Sequence, residues 1–339
     1  MSPVLKSKTA LRLGPLNIAR VVSYKLGVRS GLNPVRRLSA STPSGPFFTH
    51  YPGKTVALPP REGWWSQQEA FGLTLGELDE TPPDWHAHSL TGAKADSKLS
   101  WWQLPDFNSS LGDIKGVWEA SRFDWVLACA QRAAAGEDAG LSRLNAWLED
   151  WLANNPPYMG VNWKCGQEAS IRVMHLAMAA LILEQTGRPA SGLVKLVALH
   201  LQRIAPTLQY AMAQDNNHGT SEAAALFIGG SWLHAQGDPR GQRWERAGRR
   251  WLENRAASLI ESDGTFSQYS TNYHRVMLDT LCMAEVWRRH LALPAFSERF
   301  YRQASAAIGW LASLVDPDSG DTPNLGANDG ARLLPLTDT

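Results

Sequence analysis

Residues 164–185 read KCGQEASIRVMHLAMAALILEQ and are followed at once by Thr186-Gly187-Arg188-Pro189. Within the run apolar side chains recur every three to four positions, the spacing that gathers them on one side of an α-helix, and Gly and Pro then stop it. The same pattern extends in both directions. Seven further blocks carry it, roughly 116–135, 139–154, 189–209, 219–236, 240–261, 271–290 and 296–315. Their connections hold the same stop chemistry: Gly136, Asn154-Asn155-Pro156-Pro157, Gly237-Asp238-Pro239, Asp263-Gly264 and Leu293-Pro294. Links this short make consecutive helices antiparallel neighbours. No strand alternates with helix, which argues against a doubly wound α/β sheet. The expected fold is all-α from about residue 111 onward. Period alone leaves a bundle, a solenoid and a closed ring of hairpins open, although no fixed-length repeat of the solenoid kind is present.

The first 110 residues have a different character. Residues 1–40 carry eight basic side chains (Lys6, Lys8, Arg12, Arg20, Lys25, Arg29, Arg36, Arg37) and no acidic one. Leu11, Leu13, Ile18, Val21, Val22 and Leu26 are interleaved with them, so a basic helix packed on the body is expected, with a groove-lining or membrane-surface helix as the rival. Residues 41–110, rich in Pro, Gly, Ser and Trp, read as irregular with short strands. The expected division is 1–110 and 111–339.

Bulk charge is close to balanced, 33 Lys and Arg against 32 Asp and Glu, which gives no argument for nucleic acid as a partner. No uninterrupted apolar stretch follows the first positive charges, and none approaches the ~18 residues of a membrane span. Neither a secretory leader nor a span is expected, which leaves cytoplasm and periplasm open. Cys129, Cys165 and Cys282 lack CxxC spacing and suggest neither a disulfide framework nor a cysteine zinc site. Fifteen Trp is a high count, with Trp64-Trp65, Trp85, Trp101-Trp102, Trp118 and Trp163 in polar surroundings. Each ring alone is explained by filling a gap between helices; for the set, at least one sugar-stacking platform is expected.

Two polar clusters interrupt the apolar helices: Asn216-Asn217-His218-Gly219-Thr220-Ser221-Glu222 and Gln268-Tyr269-Ser270-Thr271-Asn272-Tyr273-His274-Arg275. Both fall at loop-to-helix starts, where free N–H groups and the positive dipole end suit an anionic group. His218, Ser221 and Glu222 share one helix face, so Glu222 could orient the imidazole, while Asn217 and Glu222 also suit an N-cap and a first-turn acid. In the second cluster Tyr269 and Tyr273 lie one turn apart beside Gln268, Asn272 and Arg275. An Arg near a tyrosine hydroxyl would favour the phenolate. An amide, an imidazole and a phenol are the groups needed to neutralise a carboxylate, remove the carbon-bound proton beside it and protonate a departing sugar oxygen. Lys164, Glu168 and Arg172 lie on one stripe and suit an ion-pair ladder, while Trp163 and Gln167 could instead line a sugar subsite. The Pro323 to Arg332 loop is turn-rich and says little by itself.

With Lys115-Gly116-Val117-Trp118-Glu119, Ser121-Arg122, Trp163 to Arg172, both polar clusters, Asp263-Gly264 and Asn328-Asp329-Gly330 in this order, the sequence resembles the heparinase II/III family of polysaccharide lyases. The resemblance covers most of residues 100–339. It implies an incomplete (α/α) toroid preceding a β-sandwich domain, an acidic, uronate-containing polysaccharide as substrate, β-elimination, and no redox or nucleotide cofactor. It makes Asn217 the amide on the uronate carboxylate, His218 a base for one C5 epimer and Tyr273 a base or an acid toward O4. Glu222, Gln268 and Arg275, with Trp163, Gln167 and Tyr269, would bind substrate. No metal ligand is expected within these residues. The β-sandwich, which in the family adds a further histidine, would be expected from Thr339 onward and is read as separate or lost. A glycoside hydrolase using Asp263 and Glu222, and a non-catalytic glycan-binding remnant, are the rival readings.

Overall fold

The computed structural model describes residues 3–49, 67–71, 73–77, 81–105 and 108–334, with no side-chain description for 3–13, 67–70, 74–77 and Asp138. Helix α1 (Pro3–Ser30) is interrupted at Gly14 (φ 75°), which precedes Pro15. A two-stranded antiparallel hairpin, β1 (Gln67–Ala70) and β2 (Leu73–Glu77), lies in the irregular segment. The helices that follow are α2 (Lys115–Trp118), α3 (Asp124–Ala134), α4 (Asp138–Asn154), α5 (Gly166–Ile182), α6 (Ser191–Ile204), α7 (Leu208–Met212), α8 (Asn217–Ala235), α9 (Gly241–Leu259), α10 (Thr271–His290) and α11 (Glu298–Ala312). Among the described residues no helix is long and apolar enough to cross a membrane. Trp64 and Trp65 lie outside the described residues.

Four hairpins form the body: α3 with α4, α5 with α6, α8 with α9, and α10 with α11. The first member of each hairpin also packs on the first member of the next, α3 on α5, α5 on α8 and α8 on α10, so these four make an inner row and α4, α6, α9 and α11 an outer one. This is the helical arrangement of an (α/α) toroid. Burial follows the rows: α5 is buried from Gly166 to Ala180, whereas α9 buries one stripe (Gly248, Leu252, Arg255, Ala256, Leu259). A helix enclosed over most of its surface can be apolar on several faces and carries its few polar side chains paired, whereas an outer helix needs only one apolar face.

One expected helix, 116–135, is broken. Phe123 takes a left-handed conformation (φ 68°), its ring buried between Trp125 and Trp151, and splits the block into α2, a short 3-10 turn and α3. Periodicity does not register this, because Phe123 is apolar and in phase.

The tightest helix contact is α8 on α9. A Cβ on Gly248 would overlap the backbone of Ala223 and Phe227, and one on Gly241 the backbone of His234. Gly248→Leu should therefore lower stability by about 1–3 kcal/mol through overpacking. A urea midpoint equal to that of the native sequence would contradict this packing.

Candidate active site

Each inner helix is followed by an antiparallel return, so all four inner N-termini lie at one end of the body. Three of these starts are entered through non-glycine residues of positive φ: Phe123 (68°) before α3, Asp215 (48°) before α8 and Tyr269 (47°) before α10. Such conformations cost energy and here turn the chain sharply into the helix starts. Asn216 caps α8, its Oδ1 accepting from His218 N–H at 3.0 Å. Ser270 caps α10, its Oγ accepting from Tyr273 N–H at 3.1 Å. The segment 323–334 runs across this end. It is held by Thr271 N–H donating to Leu325 O (3.1 Å), Arg275 donating to Ala331 O (2.7 Å) and a His175 Nε2–Leu333 O contact of 2.7 Å.

That segment delivers Asp329 to Tyr273. The phenol donates to Asp329 Oδ2 at 2.8 Å, Asn272 donates to Oδ1 at 3.0 Å, and Lys115 Nζ lies 3.1 Å from the carboxylate and 3.4 Å from the phenol oxygen. Burial works against charge at Asp329. Lys115, the tyrosine hydrogen bond and Arg122 outweigh it, and the carboxyl is held below its usual range. Burial and the Asp329 charge push the Tyr273 phenol up. At neutral pH the trio is an ammonium, a carboxylate and a protonated phenol.

Asn217 and His218 open α8 beside it. The two clusters are joined by Gln268, whose Oε1 accepts from Asn217 N–H at 2.8 Å. Asn217 is buried, and its carboxamide makes no hydrogen bond to the described residues. Burial pushes the His218 imidazole below its ordinary value, against the opposing pull of Glu222, and the Lys115 and Asp329 charges both act on it. Its Nδ1 is 4.0 Å from Cys165 Sγ. The imidazole is therefore neutral at pH 7 and able to accept a proton. One turn below, buried Glu222 is raised to about 8, with Oε2 unpaired and Oε1 against Gly166, where a Cβ would leave no room.

Other expectations are corrected. Arg275 does not touch the phenol; it binds Asn272 Oδ1 and Ala331 O, and the cation beside Tyr273 is Lys115. The phenol is accordingly shifted toward the protonated form, not toward the phenolate. Lys164, Glu168 and Arg172 form no ladder. Glu168 pairs with Arg122 (2.9 Å), Lys164 donates to Leu104 O, and Arg172 donates to His200, Ser121 O and Asn162 O. Trp163 is fully buried between Trp151, Tyr158 and His200 and offers no face to a sugar. Gln167 is 8% exposed, and Tyr269 projects outward at 73%. No hydrogen bond joins Glu222 to His218, and the carboxyl, raised to about 8, acts on the ring by charge only where it is ionised. Asp263 is exposed and caps Thr265, which removes it as a carboxylate facing Glu222. Local sequence did not assign Lys115 or Asp329 a role, because they meet Tyr273 only through folding, 158 and 56 residues away. Among the described residues no group of three or more His, Cys, Asp or Glu side chains could hold a metal ion.

The Glu222 shift has a thermodynamic signature. The unfolded chain ionises this group near its ordinary value of 4.5, the folded chain only near about 8. Its stabilising contribution is thus complete below pH 4.5, shrinks as pH rises and is gone above about 8. Glu222→Gln should remove this dependence, so that native stability minus variant stability falls across that window. A difference independent of pH, read from denaturant midpoints, would contradict a carboxyl buried in neutral form.

The Heparinase II/III N-terminus family model matches residues 95–332. A solved heparinase III is 14% identical over 90% of this chain and 46% of its own, with a TM-score of 0.52. A heparan sulfate lyase, HepC from Pedobacter heparinus, is 21% identical over 62% of this chain and 34% of its own, with a TM-score of 0.43. The chain thus spans less than half the length of either solved structure. No curated protein matches it at a significant level. Its inner and outer helical rows agree with the first of these folds, and the family match extends over more than half of its length: the chain belongs to the heparinase II/III N-terminus family.

Proposed function

We propose that this chain forms the catalytic helical part of a polysaccharide lyase that cleaves a uronate-containing glycan by β-elimination. The observation that carries this reading is the separation of protonation states at one end of the helical body: a neutral imidazole at His218 and a protonated phenol at Tyr273, flanked by the Asn217 carboxamide, which is unpaired among the described residues. Groups pushed apart in this way divide acid from base.

The uronate carboxylate would meet the Asn217 carboxamide at the N-terminus of α8, where the helix dipole favours negative charge. Neutralising that carboxylate makes the C5 proton removable, and it is the largest electrostatic demand of the reaction. His218 accepts the C5 proton, the electron pair forms the C4–C5 double bond, and the C4–O4 bond breaks. Tyr273 gives its proton to the departing O4. Lys115 then lies where it stabilises the phenolate, while Asp329 and Asn272 hold the ring in place between turnovers. Proteins of this fold include a heparinase III, which supports an acidic polysaccharide as the substrate class.

Tyr273→Phe should abolish the ultraviolet absorbance of the unsaturated uronate product without shifting the thermal midpoint. Asp329→Asn should reduce turnover by roughly 10²-fold or more with little change in KM, since it disturbs the acid and not substrate binding. Full activity of Tyr273→Phe toward a substrate that the native protein cleaves would rule out the phenol as the acid.

The acid limb of the kcat/KM profile is a further expectation. With His218 held below the ordinary imidazole range by burial, activity should persist below pH 6.5 before protonation removes the base. An acid limb above that value would exclude His218 in this role.

A further inference from the structure

A cavity of about 670 Å³ lies between α1 and the starts of α5 and α8, within the range that accepts a small ligand. Its floor includes His218 and Glu222, so it adjoins the candidate active site. Helix α1 supplies one wall through Tyr24, Lys25, Val28 and Arg29. The helix is fixed there by Asn17 donating to Asp215 (2.8 Å), by Tyr24 stacked on Tyr210 (4.0 Å between centroids) and by Arg20 over Trp251. Residues 3–30 lie outside the residues that the family model matches.

The lining is cationic and aromatic. Lys25, Arg29, Arg36, Lys164 and Arg203 all border the cavity, and the carboxyl among its lining residues is Glu222. Burial keeps Glu222 protonated up to about pH 8, so it does not offset those charges at neutral pH. Arg203 and Arg36 are already occupied. Arg203 donates to Trp163 O and Lys164 O and lies 4.1 Å from the Trp101 ring centroid; Arg36 donates to Val28 O and Arg29 O beside Trp102. Lys25 and Arg29 have no ion-pair partner among the described residues and are exposed at the rim. Trp102 and Trp118, partly exposed, also line the cavity. Aromatic rings and unpaired cations lining one cavity suit a flat, hydroxylated and negatively charged ligand.

We propose that the cavity beneath α1 is a subsite for a second anionic sugar, next to the reacting one, whose carboxylate or sulfate is bound by Lys25 and Arg29. The helix thereby selects chains that carry charge on neighbouring residues. The assignment of the reacting sugar rests on the lyase reading; binding in the subsite does not require turnover.

The test uses the intact chain carrying Tyr273→Phe, with alginate, heparan sulfate and maltose-series tetrasaccharides titrated by calorimetry. Binding of at least one charged tetrasaccharide, none of the neutral one, and a loss of about tenfold or more in affinity with Lys25→Ala/Arg29→Ala at unchanged thermal midpoint is the expected result. The alginate arm reports carboxylate recognition, and binding of heparan sulfate alone reports sulfate. Equal affinity in the double variant, neutral binding as strong as charged, or no binding of either charged probe would overturn the subsite. So would Lys25- and Arg29-dependent binding to phosphatidylserine vesicles without saccharide binding. Charged-sugar binding with no unsaturated product from the native chain would remove the lyase reading and leave the subsite standing. Turnover with an unchanged KM in the double variant would do the reverse.

Discussion

A guanidinium buried among aromatic rings ties together the loops at the end of the molecule that carries Asn217, His218 and Tyr273. Arg172 in α5 is fully enclosed, and burial works against its charge. It is accommodated by the carbonyls of Ser121 and Asn162, by His200, and by the faces of Phe123, Trp151 and Trp163. Those two carbonyls belong to the loops that enter α3 and α5. Arg203 ties the second loop again through Trp163 O and Lys164 O. Two buried cations thus fix the C-terminal carbonyls of short 3-10 turns, which have no continuing helix to accept from. An unpaired carbonyl in such a position would carry a large desolvation penalty, so the loops and the arginines depend on each other. The high tryptophan content is largely explained by this enclosure.

With the loop ends fixed, electrostatics at the cleft follows from depth. Glu222 and His218 lie deep enough for burial to dominate, and both are driven toward neutrality. Asp329 and Lys115 are close enough to each other that mutual attraction outweighs burial, and both are driven toward charge. Tyr273 sits between the two regimes and stays protonated because burial and its near carboxylate partner both raise the phenol. A single end of the toroid therefore offers a base and an acid at the same pH without a metal ligand set among the described residues.

The helical hairpins were legible because outer helices such as α6, α9 and α11 carry one apolar stripe, inner helices such as α5 and α8 are long apolar runs, and the stops between them are Gly and Pro. The clusters around Asn217 and Tyr273 were legible as dense polarity at helix starts. What sequence did not show was long-range or conformational. Asp329 reaches Tyr273 on a loop with weak local signal, and Lys115 arrives from a four-residue helix. Arg172 and Trp163 carry the polar and aromatic character of a binding edge, yet both are core, because a buried cation in an aromatic cage has the same local composition as a sugar subsite. Arg275 was placed beside the phenol by proximity in sequence, whereas its position on α10 directs it to Ala331 O. The left-handed Phe123 left no trace in the apolar pattern.

On the proposed reading a uronate is held with its carboxylate on the Asn217 carboxamide, between His218 and Tyr273. A crystal structure of the Tyr273→Phe protein with a bound acidic tetrasaccharide would show this placement or its absence. The expected result is a carboxylate within hydrogen-bond distance of the Asn217 side chain, C5 facing the His218 imidazole and O4 directed at the ring of residue 273. A saccharide whose carboxylate lies away from Asn217, or whose C5 faces neither side chain, would contradict it.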